Sequence, residues 1–95
     1  MPAYVFANIQ VDDPIAYQRY VQVVPGTIEK YGGRYLARGG RVEVLEGDTQ
    51  PGRTIIIEFP TFEDAERWYS SPEYCAAKDV RQACAHADLV LIDGM

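Results

Sequence analysis

From Ala3 to Val11 the side chains alternate, with Val5, Ala7, Ile9 and Val11 on one face and Tyr4, Phe6, Asn8 and Gln10 on the other. This is the period of an extended strand, and both of its faces carry apolar bulk. The period changes at Asp13-Pro14, an N-cap followed by a first-turn proline. Tyr17, Tyr20, Val21, Val24, Ile28 and Tyr31 then recur at helical spacing, predicting a helix over 14–31 that Gly32-Gly33 terminates. Pro25 inside it removes a backbone donor and crowds the carbonyl four residues earlier, so a kink or restart is expected near Val24.

Residues 34–46 read as a second strand interrupted at Gly39-Gly40, where a bulge is expected, and 47–52 as a turn. In the third strand, Arg53–Phe59, Ile55, Ile57 and Phe59 share one face while Thr54, Ile56 and Glu58 take the other. Pairing Glu46 opposite Arg53 sets Val44 against Ile55 and Val42 against Ile57, and it places Arg41 across from Glu58 on the opposite face. Pro60 ends this strand. Thr61 with Asp64 resembles a capping box opening a helix through Phe62, Ala65, Trp68 and Tyr69, which breaks at Ser70. Ser71-Pro72 restarts a helix with an apolar stripe of Ala76, Val80, Ala83, Cys84 and Ala87 and a wet stripe of Lys78, Gln82 and His86. A short last strand follows over 89–93.

Strand, helix, strand, strand, helix, strand is the ferredoxin-like βαββαβ plan, an α+β fold whose right-handed crossovers lay the helices on one face of a four-stranded antiparallel sheet. The other face stays open. Tyr4, Phe6, Leu45 and Ile56 are expected on it, more large apolar surface than a lone domain usually exposes, so a second copy of the chain is the expected cover. The 95 residues, 47% hydrophobic, suit one domain over 1–95. Nine basic against 14 acidic residues give a net charge of −5, which opposes nucleic acid and anionic membranes as partners. No apolar stretch approaches the ~20 residues that span a bilayer. Two cysteines and no signal-like start fit a soluble protein of a reducing cytoplasm.

Three segments carry a resemblance: Tyr31-Gly-Gly-Arg-Tyr-Leu-Ala-Arg-Gly-Gly40, Glu58-Phe-Pro-Thr-Phe62 and Trp68-Tyr-Ser-Ser-Pro-Glu-Tyr74. Together they resemble the 1330 family of domains of unknown function over nearly the whole chain. The resemblance implies a dimeric α+β barrel in which two sheets meet face to face. It brings no reaction with it, because the wider superfamily includes cofactor-independent monooxygenases, isomerases and haem-binding proteins. Relatives tend to carry Gln after Ser-Pro-Glu-Tyr, where this chain has Cys75.

One histidine, His86, excludes a multi-histidine metal site and a conventional triad, and its wet-stripe position reads as solvated. No metal and no cofactor are expected. Cys75 and Cys84, nine residues apart on one predicted helix, point to opposite sides and cannot bridge; Cys84 is expected packed and Cys75 exposed. The glycine pairs lie outside any strand-to-helix phosphate turn. Strand parity places Asn8, Arg41 and Glu58 on the open face, as a polar network at a dimer seam or as the lining of a pocket. Arg38 faces the helices or the partner depending on whether one extra residue is accommodated beside it. Tyr17, Tyr20, Trp68 and Tyr69 either wall a pocket or form plain core.

The candidate ligand-binding residues are therefore Asn8, Arg38, Arg41, Glu58 and Trp68, with no catalytic residue identified. Two functions fit. One is a cofactor-independent enzyme acting on a small organic acid or aromatic metabolite, Arg38 holding a carboxylate or enolate. The other is a non-catalytic dimeric module that binds a small molecule or serves as an accessory.

Overall fold

The computed structural model describes all residues, 1–95. The elements run β1 (Ala3–Val11), α1 (Pro14–Lys30), β2 (Arg34–Arg38), β3 (Arg53–Phe59), α2 (Phe62–Ser70), α3 (Pro72–Gln82) and β4 (Ala85–Asp93). The four strands form one antiparallel sheet in the order β2-β3-β1-β4, the ferredoxin-like arrangement expected.

Period-two alternation sorts the sheet as read. Ala3, Val5, Ala7 and Ile9 of β1 and Ile55, Ile57 and Phe59 of β3 are buried beneath the helices with Tyr17, Tyr20, Val24, Ile28, Ala65, Trp68, Tyr74 and Ala77. The opposite face is open and apolar: Phe6, Val90 and Ile92 are 46%, 58% and 59% exposed. Leu45 is not part of it. That residue lies in the exposed connection between β2 and β3.

Caps set the helix boundaries. Asp13 accepts from the amides of Ile15 and Ala16, and Thr61 Oγ1 accepts from Asp64 N. The capping box is half made, because the Asp64 carboxylate turns to Arg67. Ser71 separates α2 from α3 by donating to Trp68 O while accepting from Tyr74 N, ahead of Pro72. Pro25 produces no restart, and α1 runs unbroken from Pro14 to Lys30. The Val21 carbonyl, which Pro25 cannot serve, instead receives Arg38 Nη2 at 3.4 Å.

Three expectations about the second strand fail. The second strand ends at Arg38, eight residues early. Gly39 takes φ +67°, a conformation open chiefly to glycine, and its N–H closes the ladder on Thr54 O before the chain leaves the sheet. The bulge falls at Leu36 rather than at Gly39-Gly40, giving Arg34↔Glu58, Tyr35↔Ile57, Ala37↔Ile56 and Arg38↔Ile55. The pairing of Val42 and Val44 with β3 and the Arg41–Glu58 pair are therefore absent; Arg41 is exposed in the connection, and Glu58 pairs with Arg34 Nε at 2.8 Å.

The last helix is also misphased. Its inner face is Tyr74, Ala77 and Arg81, with Ala76 exposed, because Tyr74 fills the space beside Trp68 that the small Ala76 could not. It stops at Gln82, so Cys84 lies past its end and Ala87 and His86 belong to β4, where His86 meets Asp12 at 2.8 Å.

Candidate functional site

The bulge at Leu36 decides which way Arg38 points. Without it, Arg34, Leu36 and Arg38 would share the open face. The extra residue moves Arg38 onto the face of Ile55 and Ile57, under α1. There its guanidinium lies 4.5 Å from the Tyr35 ring, in addition to its bond to Val21 O. Arg53, the first residue of β3, arrives on the same face. Its Nη1 comes so close to Gly39 Cα that a Cβ would sit 2.6 Å away, so glycine at 39 serves both the turn and the approach of Arg53.

These two arginines edge a cavity between α1 and the sheet whose walls include Tyr17, Tyr20, Tyr35 and Trp68. The enclosed space is about 20 Å³, room for a single water. Anything larger requires the walls to move, and the most loosely held of them is Arg38, which is exposed and kept in place by one long hydrogen bond and its ring contact. Neither Arg38 nor Arg53 has a carboxylate partner; the ion pairs of the chain are Lys30–Glu73, Arg34–Glu58, Arg67–Asp64 and His86–Asp12.

The cavity's tyrosines are kept neutral. Burial pushes the Tyr20 hydroxyl far up, reinforced by Tyr74, whose oxygen lies 3.0 Å from it. Burial raises Tyr17 as well, against the charges of Arg53 and Arg81, and raises Tyr35 against that of Arg38. None is a base near neutral pH. Trp68 is 1% exposed, and its indole N–H donates to Thr27 Oγ1 at 3.1 Å, which fixes the ring as a wall.

A roomier groove, about 450 Å³, lies on the far side of Trp68, between α2 and the edge strand β4, against Val5, Tyr69, Leu89 and Leu91. Its polar groups are Glu66 and Ser70, with no cation. The groove has the volume of a small-molecule pocket, and the smaller cavity has the positive charge that an anion requires. No cluster of three His, Cys, Asp or Glu side chains is placed to hold a metal ion.

Of the five candidate residues, the structure brings Arg38 and Trp68 together at this cavity. Asn8 lies on the open face, its Oδ1 accepting from Gly52 N at 2.7 Å, so it anchors the end of the β2–β3 connection. Glu58 is on that face with Arg34, and Arg41 joins neither. Arg53 and Arg81 were not anticipated. Arg81 could have been found, since Tyr74, Ala77, Arg81 and Cys84 follow 3-4-3 spacing with a guanidinium in an apolar slot.

The model of the domain of unknown function DUF1330 matches residues 2–95. The chain belongs to the DUF1330 family. No curated protein matches it. Among solved structures, this DUF1330 chain is similar to a protein of unknown function from Rhodopseudomonas palustris, with 20% identity over 99% of this chain and 82% of that one and a TM-score of 0.79. A dimeric ferredoxin-like protein of unknown function from Jannaschia sp. CCS1 matches with TM-score 0.70 and 11% identity, over 99% and 100% of the two chains. SnoaB, a cofactor-independent oxygenase from Streptomyces nogalater, matches with TM-score 0.68 and 9% identity, over 99% and 93%. At these identities the likeness concerns the fold.

Proposed function

We propose that this DUF1330 protein is a cytoplasmic homodimer that binds a small organic acid, aromatic or enolisable, between its helices and sheet and transforms it without a cofactor. The observation that carries the reading is the pair Arg38 and Arg53, free of carboxylates in a chain of net charge −5, at the edge of an aromatic-walled cavity. Arg38 holds the carboxylate in bidentate fashion. Trp68 and Tyr20 receive the ring or the flat enol. That a structural neighbour, SnoaB, is described as a cofactor-independent oxygenase supports catalysis on this fold without a bound group.

A non-catalytic binding role uses the same site and is favoured by one feature: beyond its arginines, the cavity's ionisable groups are tyrosines that burial keeps protonated, so it holds no general base. The substrate must then supply its own acidity. Dimerisation is supported by Phe6, Val90 and Ile92 on the open sheet face and by the dimeric neighbour from Jannaschia.

Native mass spectrometry of the freshly purified protein tests the reading. A retained organic acid, lost in Arg38→Gln, is the expected result. Its conversion on prolonged incubation in air separates enzyme from binding module, and retention undiminished in Arg38→Gln refutes the site.

A further inference from the structure

Three buried polar atoms have no hydrogen-bond partner: Tyr17 Oη, Arg53 Nε and Arg81 Nε. The two nitrogens can only donate, and the neutral Tyr17 hydroxyl has its proton to give. Arg81 and Tyr17 are 3% and 5% exposed. They stand together. Tyr17 and Arg53 line the same cavity, the Tyr17 ring centre is 5.4 Å from that of Tyr20, and the Arg81 guanidinium carbon is 5.9 Å from the Tyr20 ring. Arg53 and Arg81 are both near enough for their charges to act on the Tyr17 hydroxyl, and Arg53 also comes within hydrogen-bonding reach of it, without the alignment that would satisfy Tyr17 Oη or Arg53 Nε.

Elsewhere the core satisfies its polar groups. Thr27 pairs with Val24 O and Trp68, Ser71 with Trp68 O and Tyr74 N, and the Tyr20 hydroxyl with that of Tyr74. Buried donors left without an acceptor are rare, and here three of them gather where two carry full positive charge. The chain has 14 carboxylates, and none is placed among them.

We infer that Tyr17, Arg53 and Arg81 form a receptor for a deprotonated oxygen, and that the compound in the cavity is held as its phenolate or enolate. The inference rests on the proposed function and specifies its ligand: besides the carboxylate at Arg38, the compound carries a weakly acidic hydroxyl or enol. The titratable and charged groups around the receptor are Tyr17 and Tyr20 from α1, Tyr35 and Arg38 from β2, Arg53 from β3, and Tyr74 and Arg81 from α3. All are cationic or neutral at pH 7, so the anion meets no opposing charge. The ligand's proton goes to solvent, because no group in this set accepts it. Such a site lowers the pKa of what it binds and makes an electron-rich anion without a base.

The probe is 4-nitrophenol, whose phenolate is read by its visible absorbance. With the full chain in excess, its apparent pKa is expected to fall by about one unit or more. Tyr17→Phe returns it part of the way, and Arg81→Met returns it further. Arg81→Met empties a buried position and can unfold the chain; Tyr17→Phe removes only an unpaired hydroxyl, so the test stands on that variant alone. An unchanged pKa with bound probe, no spectral response to protein, or a Tyr17→Phe protein identical to the parent overturns the inference and leaves an ordered water as the occupant. Benzoate, measured in parallel by calorimetry, reads the Arg38 carboxylate site. Benzoate binding that depends on Arg38, with no nitrophenolate response, sinks the receptor and spares the proposed function; absence of both sinks both.

Discussion

Thr27 is a small residue on which a large one depends. Its Oγ1 donates to Val24 O at 2.7 Å and accepts from Trp68 Nε1 at 3.1 Å, with Thr27 6% and Trp68 1% exposed. Trp68 stacks on Tyr74 at 4.1 Å and Phe59 at 5.3 Å between ring centres, so it cannot turn to find another acceptor. Thr27→Val keeps the shape and removes the acceptor. A buried indole N–H left unpaired costs about 1–3 kcal/mol, and taking about 2 kcal/mol predicts a fall in Tm of roughly 8–16 °C. Thr27→Ser keeps the oxygen and loses one methyl, a loss of about 0.8 kcal/mol. Urea unfolding followed by circular dichroism measures both. In a Trp68→Phe background the Thr27→Val loss is expected to shrink to a few tenths of a kcal/mol, because no N–H remains to be orphaned. A Thr27→Val protein as stable as the parent, or one that loses the same amount with and without Trp68, refutes the reasoning.

Sedimentation equilibrium at micromolar concentration is expected to show a dimer that Phe6→Asp converts to monomer, since an interface of about 1,600 Å² placed over that ring cannot absorb a charge; a monomeric parent sinks the proposal. Arg34 and Glu58 are an exposed pair, 71% and 23% accessible, so a double-mutant cycle is expected to give less than about 1 kcal/mol of coupling, and Arg41→Ala no measurable change. The seven tyrosines separate on alkaline titration at 295 nm. Tyr20 holds its proton in the folded state well above the ordinary value of 10.0, so the unfolded chain binds fewer protons beyond that point and stability falls as pH rises, by about 1.4 kcal/mol per unit for this group alone. A Tyr20 that ionises near pH 10 without unfolding contradicts its burial. Timed alkylation of the native protein is expected to label half-buried Cys75 before buried Cys84, whose Sγ lies 3.3 Å from Val80 O; the reverse order contradicts the packing at the end of α3.

The fold was legible because its signals are local and repeated. Alternation in β1 and β3 and the caps at Asp13, Thr61 and Ser71 each name an element without reference to the others. The site was less so. Trp68 could be named from its position on an amphipathic helix, but the face of Arg38 rests on one bulged residue, and a bulge at Leu36 has no glycine to announce it. Val42 and Val44 suggested a hairpin register as regular as the real one. What excludes it is Gly39, whose backbone turns the chain out of the sheet before those valines are reached. Arg81 was not singled out at all, because an arginine in an apolar stripe contradicts the composition of a core, and only the neighbouring tyrosines give it company.

The bulge at Leu36 means that the charge of the cavity is written in the register of a strand rather than in the identity of its residues. Were β2 to pair without the bulge at its present length, Arg38 would cross the sheet to lie beside Arg34 and leave Arg53 alone at the cavity, with no letter of the sequence changed. Deleting Leu36 does the opposite of what a gap in an alignment suggests, because plain alternation then keeps Tyr35 and Arg38 under α1. A tally of identical letters is blind to the first case and penalises the second. Within this family, the pairing of the strand between those two positions is the more informative character for deciding which members turn this arginine to the cavity.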